Sequence, residues 1–423
     1  MSLDSGYVTM TEIAQSLKVD RRRLEETINS LARIGITGKG SERTAYTIKD
    51  IRAKDVVTHL MRRSGLNVVI DGVGNVFGKT RAGSGPSVMI GSHVDTVPGG
   101  GRFDGVVGVA SGIEVARTIA EGQVKLCRPI EVCAFSAEES SRFGVGTLGS
   151  AVVSGELKAK DIAQLRDRLG TKLGEVLARL GRGHDAIDLS KRQPSDLHAY
   201  LELHVEQGPI LEAKKKKIGV VSAISASTRI RVRFIGRADH SGTTPMNLRK
   251  DALVAAAELI TAVETICRTE VKGVVGTVGA LNVVPNAMNV VPGTVELGID
   301  IRSVLSGSKK KAVSLVLDEA RKISERRSIG LETEIIKEDQ PVSLSKEITS
   351  LFEDICKSSG IPYMNMISGA GHDAMKMAAI TRSGLIFVPS RRGLSHNPDE
   401  WTDLEDIEIG ANCLLQAALR LAT

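Results

Sequence analysis

The sequence predicts an α/β protein in two parts, an open α/β domain that carries the chemistry and a smaller β-α-β-β-α-β domain inserted into it. Three observations lead there. Four short apolar runs, each bounded by turn residues, end in a histidine or a carboxylate, as buried strands delivering side chains at their carboxyl ends would. The segment 229–339 lacks such residues in clusters and reads strand, helix, strand, strand, helix, strand. At 423 residues the chain also exceeds the usual size of a single core.

Taken in order, residues 9–36 read as a helix, a turn at Val19-Asp20 and a second, basic helix, the pattern of a helix-turn-helix DNA reader. Leu24, Ile28, Leu31 and Ile34 follow helical spacing, so packing alone accounts for them and the structural reading is preferred over a DNA-binding regulator. Residues 46–65 form a helix closed by Gly65, with His59 on its surface. The run Pro86–Gly91 is a buried strand that leads to His93 and Asp95 on one face, and Asp104 returns beyond a Gly-rich turn. Such a pair suits an imidazole whose partner carboxylate sets its tautomer, with Asp104 as a second ligand. A core histidine beside two loop aspartates accounts for this stretch equally well.

A helix follows over 106–120. The strand at 129–137 ends in Glu138 and Glu139, adjacent acids that are costly unless a cation or a proton lies between them. Several helices fill 146–180, and His184 and His198 lack acidic neighbours at ligand spacing. The strand 199–204 ends at His204, and a late strand at 385–388 leads to His396. The inserted unit then reads 229–236, 251–269, 274–281, 294–302, 309–327 and 331–337, which places domain boundaries at 1–222 with 340–423, and 223–339.

Composition bounds the function. Apolar residues make up 42% and charged residues 25%, with no apolar run long enough to span a bilayer and no signal-peptide pattern at the start. The five cysteines lack C-x-x-C spacing and fall mostly in apolar segments, as reduced thiols of a cytoplasmic protein do. A net charge of +6 with only 3% aromatics argues against a base-stacking platform and suits an anionic small molecule. The densest basic run, Lys214 to Lys217, reads as a solvated turn.

The segments GSHVDTVPGGGRFDG, FSAEESSRFGVGTLGS, ELHVEQGPILE, GRADHSGTTPM, SGAGHDA and FVPSRRGLSHNPDEWT, in this order, resemble the hydantoinase/carbamoylase branch of the dinuclear zinc aminoacylase and carboxypeptidase superfamily. The likeness runs from about residue 60 to the C-terminus and departs at Ser140, where relatives usually carry Gly. It implies a zinc-peptidase-like mixed sheet sandwiched by helices, with the inserted domain serving as lid and homodimer interface. It implies two divalent ions, zinc by family default, with Mn, Co or Ni able to take the same donors. One ion would be held by His93, Asp104 and His204 and the other by Asp104, Glu139 and His396, with Asp104 bridging. Asp95 would hold His93, and Glu138 would be the general base.

The resemblance further implies that His240 stabilises an oxyanion, that Asn289 and Arg302 hold a substrate carboxylate, and that Gln207 and the backbone around Gly371 line the pocket, with His372 shaping it. The implied activity is hydrolysis of the ureido C–N bond of N-carbamoyl-L-amino acids, or of allantoate or a related ureido acid, with no nucleic-acid or membrane partner. Arg229 bears on that choice, since allantoate-type members carry Arg there and carbamoyl-amino-acid members more often an aromatic.

Overall fold

The computed structural model describes residues 17–38 and 40–423, and its contacts divide the chain into two compact units. The first comprises the described residues as far as Ser222 together with Ser343–Thr423, and the second is Ala223–Val342. The second boundary falls three residues beyond the sequence reading. Asp339 donates its N–H to the Ser227 carbonyl and Lys309 bonds the Asp339 carbonyl, so this stretch stays with the inserted unit.

The first unit is built on a mixed sheet. Its middle strands, in the order Arg382–Val388, Leu197–Val205, Ser87–His93 and Ile130–Phe135, are parallel. Antiparallel strands flank them: Ile218–Ile224 beside Arg382–Val388, and Val76–Lys79 followed by Asn67–Ile70 beside Ile130–Phe135. Every residue of Ser87–His93 and of Ile130–Phe135 is buried, which is why these strands appear as mainly apolar runs without alternation, broken at Glu131, which pairs with Arg192 at 2.5 Å. One face packs Ile90, Val132, Leu201, Leu203 and Val388 against the helices Arg21–Ala32, Ile48–Arg63, Val106–Glu121, Lys346–Ser358 and Leu404–Ala422. The short helices Leu148–Ser154 and Asp373–Met377 pack on each other and on the sheet. There Ala374 donates to Glu202 at 2.8 Å and Ser150 to Asp373 at 2.5 Å.

In the inserted unit four antiparallel strands lie in the order Val275–Val284, Thr294–Ser303, Ala226–Ile235, Gly330–Glu338. That is the order of a ferredoxin-like unit. The helices Ala252–Thr265 and Ser306–Arg327 share a core with Ile230, Val232, Phe234, Leu297 and Ile299. A separate two-stranded ladder pairs Asp239–His240 with Val290–Val291.

Packing accounts for the basic helix of the helix-turn-helix pattern, as the preferred structural reading expects. Residues 9–16, most of the pattern's first helix, lie outside the described residues. The second helix, Arg21–Ala32, is capped by Asp20 and buries Leu24, Ile28 and Leu31, while Arg23 is held by Glu114 at 2.6 Å. Of the basic run, Lys217 pairs with Asp406 at 2.5 Å, so only part of it is a solvated turn. The five cysteines are free, with Cys127 exposed, and among the described residues no helix is long and apolar enough to cross a membrane.

Candidate metal centre

The four parallel strands point their carboxyl ends the same way, and the side chains singled out there converge. His93 ends its strand and His204 is the last residue but one of its own. Asp104 follows the Gly-rich turn directly before Gly105, the residue that opens the helix Val106–Glu121. Gly105 has a φ of +68°, and a Cβ there would lie 2.5 Å from the His93 ring, so only glycine brings the helix start this close.

Asp104 faces two ways. Its Oδ1 lies 3.1 Å from His204 Nε2 and 3.8 Å from His93 Nε2, whereas its Oδ2 lies 3.0 Å from His396 Nε2. Glu139 Oε1 is 3.2 Å from that same His396 nitrogen. Two groups of ligand-type atoms result, His93 with Asp104 and His204, and Asp104 with Glu139 and His396. Glu138 belongs to neither, and its Oε2 stands 3.8 Å from His93 Nε2.

The donor chemistry fits a metal. His93 Nδ1 lies 3.1 Å from the Asp95 carbonyl and His204 Nδ1 2.9 Å from the Val205 carbonyl, so the proton of each neutral ring belongs on Nδ1. Each Nε2 then turns a lone pair toward Asp104, the tautomer a ligand needs. Gly105 N–H also points at His204 Nε2, at 3.2 Å. Gln207 reaches in as well, its Nε2 3.2 Å from Asp104 Oδ2, while its buried Oε1 has no partner among the described residues.

Charge is balanced within the cluster. Burial holds His93 down to about 4. Burial also acts to lower His204, but the Asp104 carboxylate and the Glu202 charge outweigh it and push the ring up to about 9. Hydrogen bonds to Asp104 and Glu139 push His396 up to about 10. A divalent cation would displace those protons, since it binds the deprotonated donors. Burial, then the charge of Glu139, raises Glu138 well above the usual carboxylate range, where a carboxylate is a stronger base.

Two parts of this neighbourhood were not legible in the sequence. Asp95 does more than attend His93: its carboxylate accepts the N–H of Glu138 at 3.1 Å and of Glu139 at 3.2 Å, and it stands 3.7 Å from His93 Nδ1. The His93 tautomer is therefore set mainly by the Asp95 main chain. Behind it lie two buried cations. Arg43 donates to the carbonyls of Val94, at 2.9 Å, and Ile34, at 3.0 Å, and Lys54 to Ser136 at 2.8 Å. Burial lowers Arg43 to about 10, which leaves it charged at neutral pH. No motif marks either residue, and their burial beside the cluster is the only signal.

His372 is buried against His204, their rings 4.5 Å apart, with its Nε2 2.9 Å from Ser368 Oγ. It completes a third group with Glu202 and His204. Both Glu202 oxygens, however, already accept hydrogen bonds, from Ser92 and from Ala374. Gly371 beside it is exposed, as are His59 and His184, and His198 contacts Arg382.

Within the inserted unit the remaining residues form two sets. His240 and Asn289 are neighbours, since His240 pairs with Val290 and Ser241 donates to the Asn289 carbonyl at 3.0 Å. His240 Nδ1 accepts the N–H of Gly242 at 3.0 Å and of Thr243 at 3.3 Å, so the proton of this exposed side chain belongs on Nε2. Arg302 grips Asp300 through Nε and Nη2, both at 3.0 Å, and Arg229, cross-strand from Asp300, approaches it at 3.6 Å.

Comparison with known proteins decides the family. The model of peptidase family M20/M25/M40 matches residues 89–420. The chain belongs to this family. Within family M20/M25/M40 it is 39% identical to an N-carbamoyl-L-amino-acid amidohydrolase of Pseudomonas sp. (strain NS671) over 96% of this chain and 99% of that one. It is 36% identical to a ureidoglycolate hydrolase of Oryza sativa subsp. japonica, covering 96% of this chain and 85% of that one. A hydantoinase/carbamoylase family amidase from Burkholderia multivorans superposes with a TM-score of 0.87 at 35% identity, over 96% of this chain and 99% of that one. This M20 chain is therefore a hydrolase of the hydantoinase/carbamoylase branch, acting on C–N bonds of linear amides.

Proposed function

We propose that the protein is a dinuclear metal amidohydrolase that cleaves the terminal ureido C–N bond of N-carbamoyl-L-amino acids, releasing the amino acid, carbon dioxide and ammonia. The observation that carries this reading is the posture of Asp104, with one oxygen toward His93 and His204 and the other toward His396, while Glu138 stands close by outside both groups. His93, Asp104 and His204 would hold one ion, and Asp104, Glu139 and His396 the other. Such a pair, zinc or another divalent ion suited to N and O donors, supplies Lewis acidity at the ureido carbonyl.

The protein's own groups do the rest. Glu138 takes the proton of the attacking water and returns it to the leaving nitrogen, a task suited to its raised basicity. Asp95 holds the Glu138 and Glu139 backbone in place. His240, with Nε2–H outward, donates to the oxygen on which charge develops. Asn289 and Arg302 hold the substrate carboxylate, Arg through the paired geometry such a group prefers. Gln207 and the Gly371 backbone line the pocket.

The inserted unit also suits a homodimer and a lid. Its edge strand Val275–Val284 exposes Val275, Leu281 and Val284, an apolar edge of the kind that pairs. Five unpaired cysteines suit a reducing, cytoplasmic setting.

One observation favours allantoate or another ureido acid. Arg229, 42% exposed and 3.6 Å from Asp300 on the neighbouring strand, offers a guanidinium that suits a second polar arm of the substrate. Ammonia release from metal-reconstituted protein, screened across N-carbamoyl-L-amino acids, N-carbamoyl-β-alanine and allantoate, tests both readings. Release from none of them sinks the proposal. Should Arg229 touch substrate, Arg229→Ala shifts the kcat/KM ratio of allantoate to N-carbamoyl-L-methionine; a ratio constant within about threefold removes it from the pocket and leaves the carbamoylase reading ahead.

A further inference from the structure

We propose that Glu400 is a positioning residue that docks the loop of Asp104 onto the loop of His396 and so builds the half of the metal centre made by Asp104, Glu139 and His396. The inference rests on the ligand reading above. Glu400 is 1% exposed, and its Oε2 accepts the N–H of Phe103 at 2.7 Å and of Asp104 at 3.2 Å, nearly three hundred residues earlier in the chain. Its Oε1 takes the Ser395 hydroxyl at 2.8 Å, next to His396 itself. One side chain thus ties both loops by the hydrogen bonds it accepts.

The surroundings are shaped for that contact. A Cβ at Gly101 would overlap the Glu400 carboxylate, so glycine there admits it. Trp401, the next residue, meets Phe103 edge to face with ring centres 5.6 Å apart, and the Arg102 guanidinium lies 5.8 Å from each ring.

The two halves of the centre depend on this contact unequally. His93 and His204 sit within strands, where ladder hydrogen bonds and buried neighbours hold them. His396 comes from irregular chain eight residues beyond its strand, has a φ of +54° and is half-exposed. Its 3.0 Å approach to Asp104 therefore relies on how two loops dock; Glu400 bonds the backbone of one and the Ser395 hydroxyl of the other, while Gln207 Nε2 meets the Asp104 and His396 side chains themselves at 3.2 and 3.4 Å.

The test is metal content and affinity, measured by elemental analysis after dialysis at a fixed free zinc concentration, on the full chain. Glu400→Ala is expected to keep about one equivalent where the parent keeps about two, with the weaker site losing about 10–100-fold in affinity and kcat falling while KM stays near the parent value. Gly101→Ala, which displaces the same carboxylate from the other side, is expected to give the same partial loss, and Glu400→Gln, which keeps one acceptor, a smaller one. Two equivalents at parent affinity in these variants overturn the proposal. So does equal loss of both ions from a chain that still melts cooperatively. If Glu400→Ala does not fold, Gly101→Ala and Glu400→Gln decide by the same criteria. His396→Ala separates the two layers of the argument, because retention of both ions there means the ligand reading has failed, and this proposal with it.

Discussion

The strand-end cluster and the His240 turn use the same side chain in opposite ways. At the cluster, His93 and His204 each place Nδ1 against a main-chain carbonyl, so the proton of the neutral ring is held there and Nε2 is the nitrogen left for a cation. In the turn, two backbone N–H groups point at His240 Nδ1, so Nε2 carries the proton outward. One environment suits imidazole to act as a ligand and the other suits it to act as a donor. The second region also differs in exposure, since Arg229 and Arg302 are 42% and 38% exposed whereas Asp104 is 6% exposed. Charges in the cluster therefore need specific partners, while those on the open sheet face are supported by water.

That contrast can be broken most sharply at Glu138. Glu138→Gln removes the base but no ligand, so activity should fall by at least ~10²-fold with both ions retained. Metal loss in this variant would mean that Glu138 and Glu139 have exchanged roles.

The next largest effect is expected at His240. His240→Ala should lower kcat by about 10²-fold, the order for removing one oxyanion donor, without altering metal content. His204→Ala, in contrast, should lose metal. If both variants lost metal alike, the donor and ligand assignments would not be distinct.

A smaller change is expected from Arg302→Ala, which should weaken substrate binding by about 2 kcal/mol, the low end for a charged contact, because the guanidinium is only partly buried. Metal content should again be unchanged, and an unaltered KM would move the carboxylate site elsewhere.

The smallest effect concerns pH. The folded-state values of His204, about 9, and His396, about 10, lie above the ordinary 6.5. The stability they add to chelated protein is therefore complete below about pH 6.5 and is lost as pH rises through 9 and 10. Melting of chelated protein should drop across that window more than melting of metal-loaded protein does, and equal drops would count against protons and metal competing for these rings.

Much of the centre was legible because parallel strands buried on both faces are mainly apolar, which makes the polar residues at their ends conspicuous. His93, Glu139 and His204 stand out for that reason, and the ferredoxin-like order followed from strand and helix periods alone. Other features were hidden. The strand Val76–Lys79 is only four residues long and contains Gly78, whose missing Cβ makes room for Met61 and Leu66. Glu400 lay within a motif already noticed, yet nothing in its neighbours revealed a partner near residue 103. The basic helix Arg21–Ala32 resembled a DNA reader because sequence shows its charges but not that Glu114 neutralises Arg23.

By itself the sequence determined which residue types end each strand, the two-part order of the chain and the family motifs, all of which depend on local period and neighbouring residues. Tertiary structure alone decided which way each carboxylate turns. Asp95 faces the Glu138 and Glu139 amides, Asp104 divides its oxygens between two sets of imidazoles, and Glu400 joins loops from distant parts of the chain. A buried carboxylate goes where hydrogen-bond donors offset its desolvation, and those donors come from segments far away in sequence.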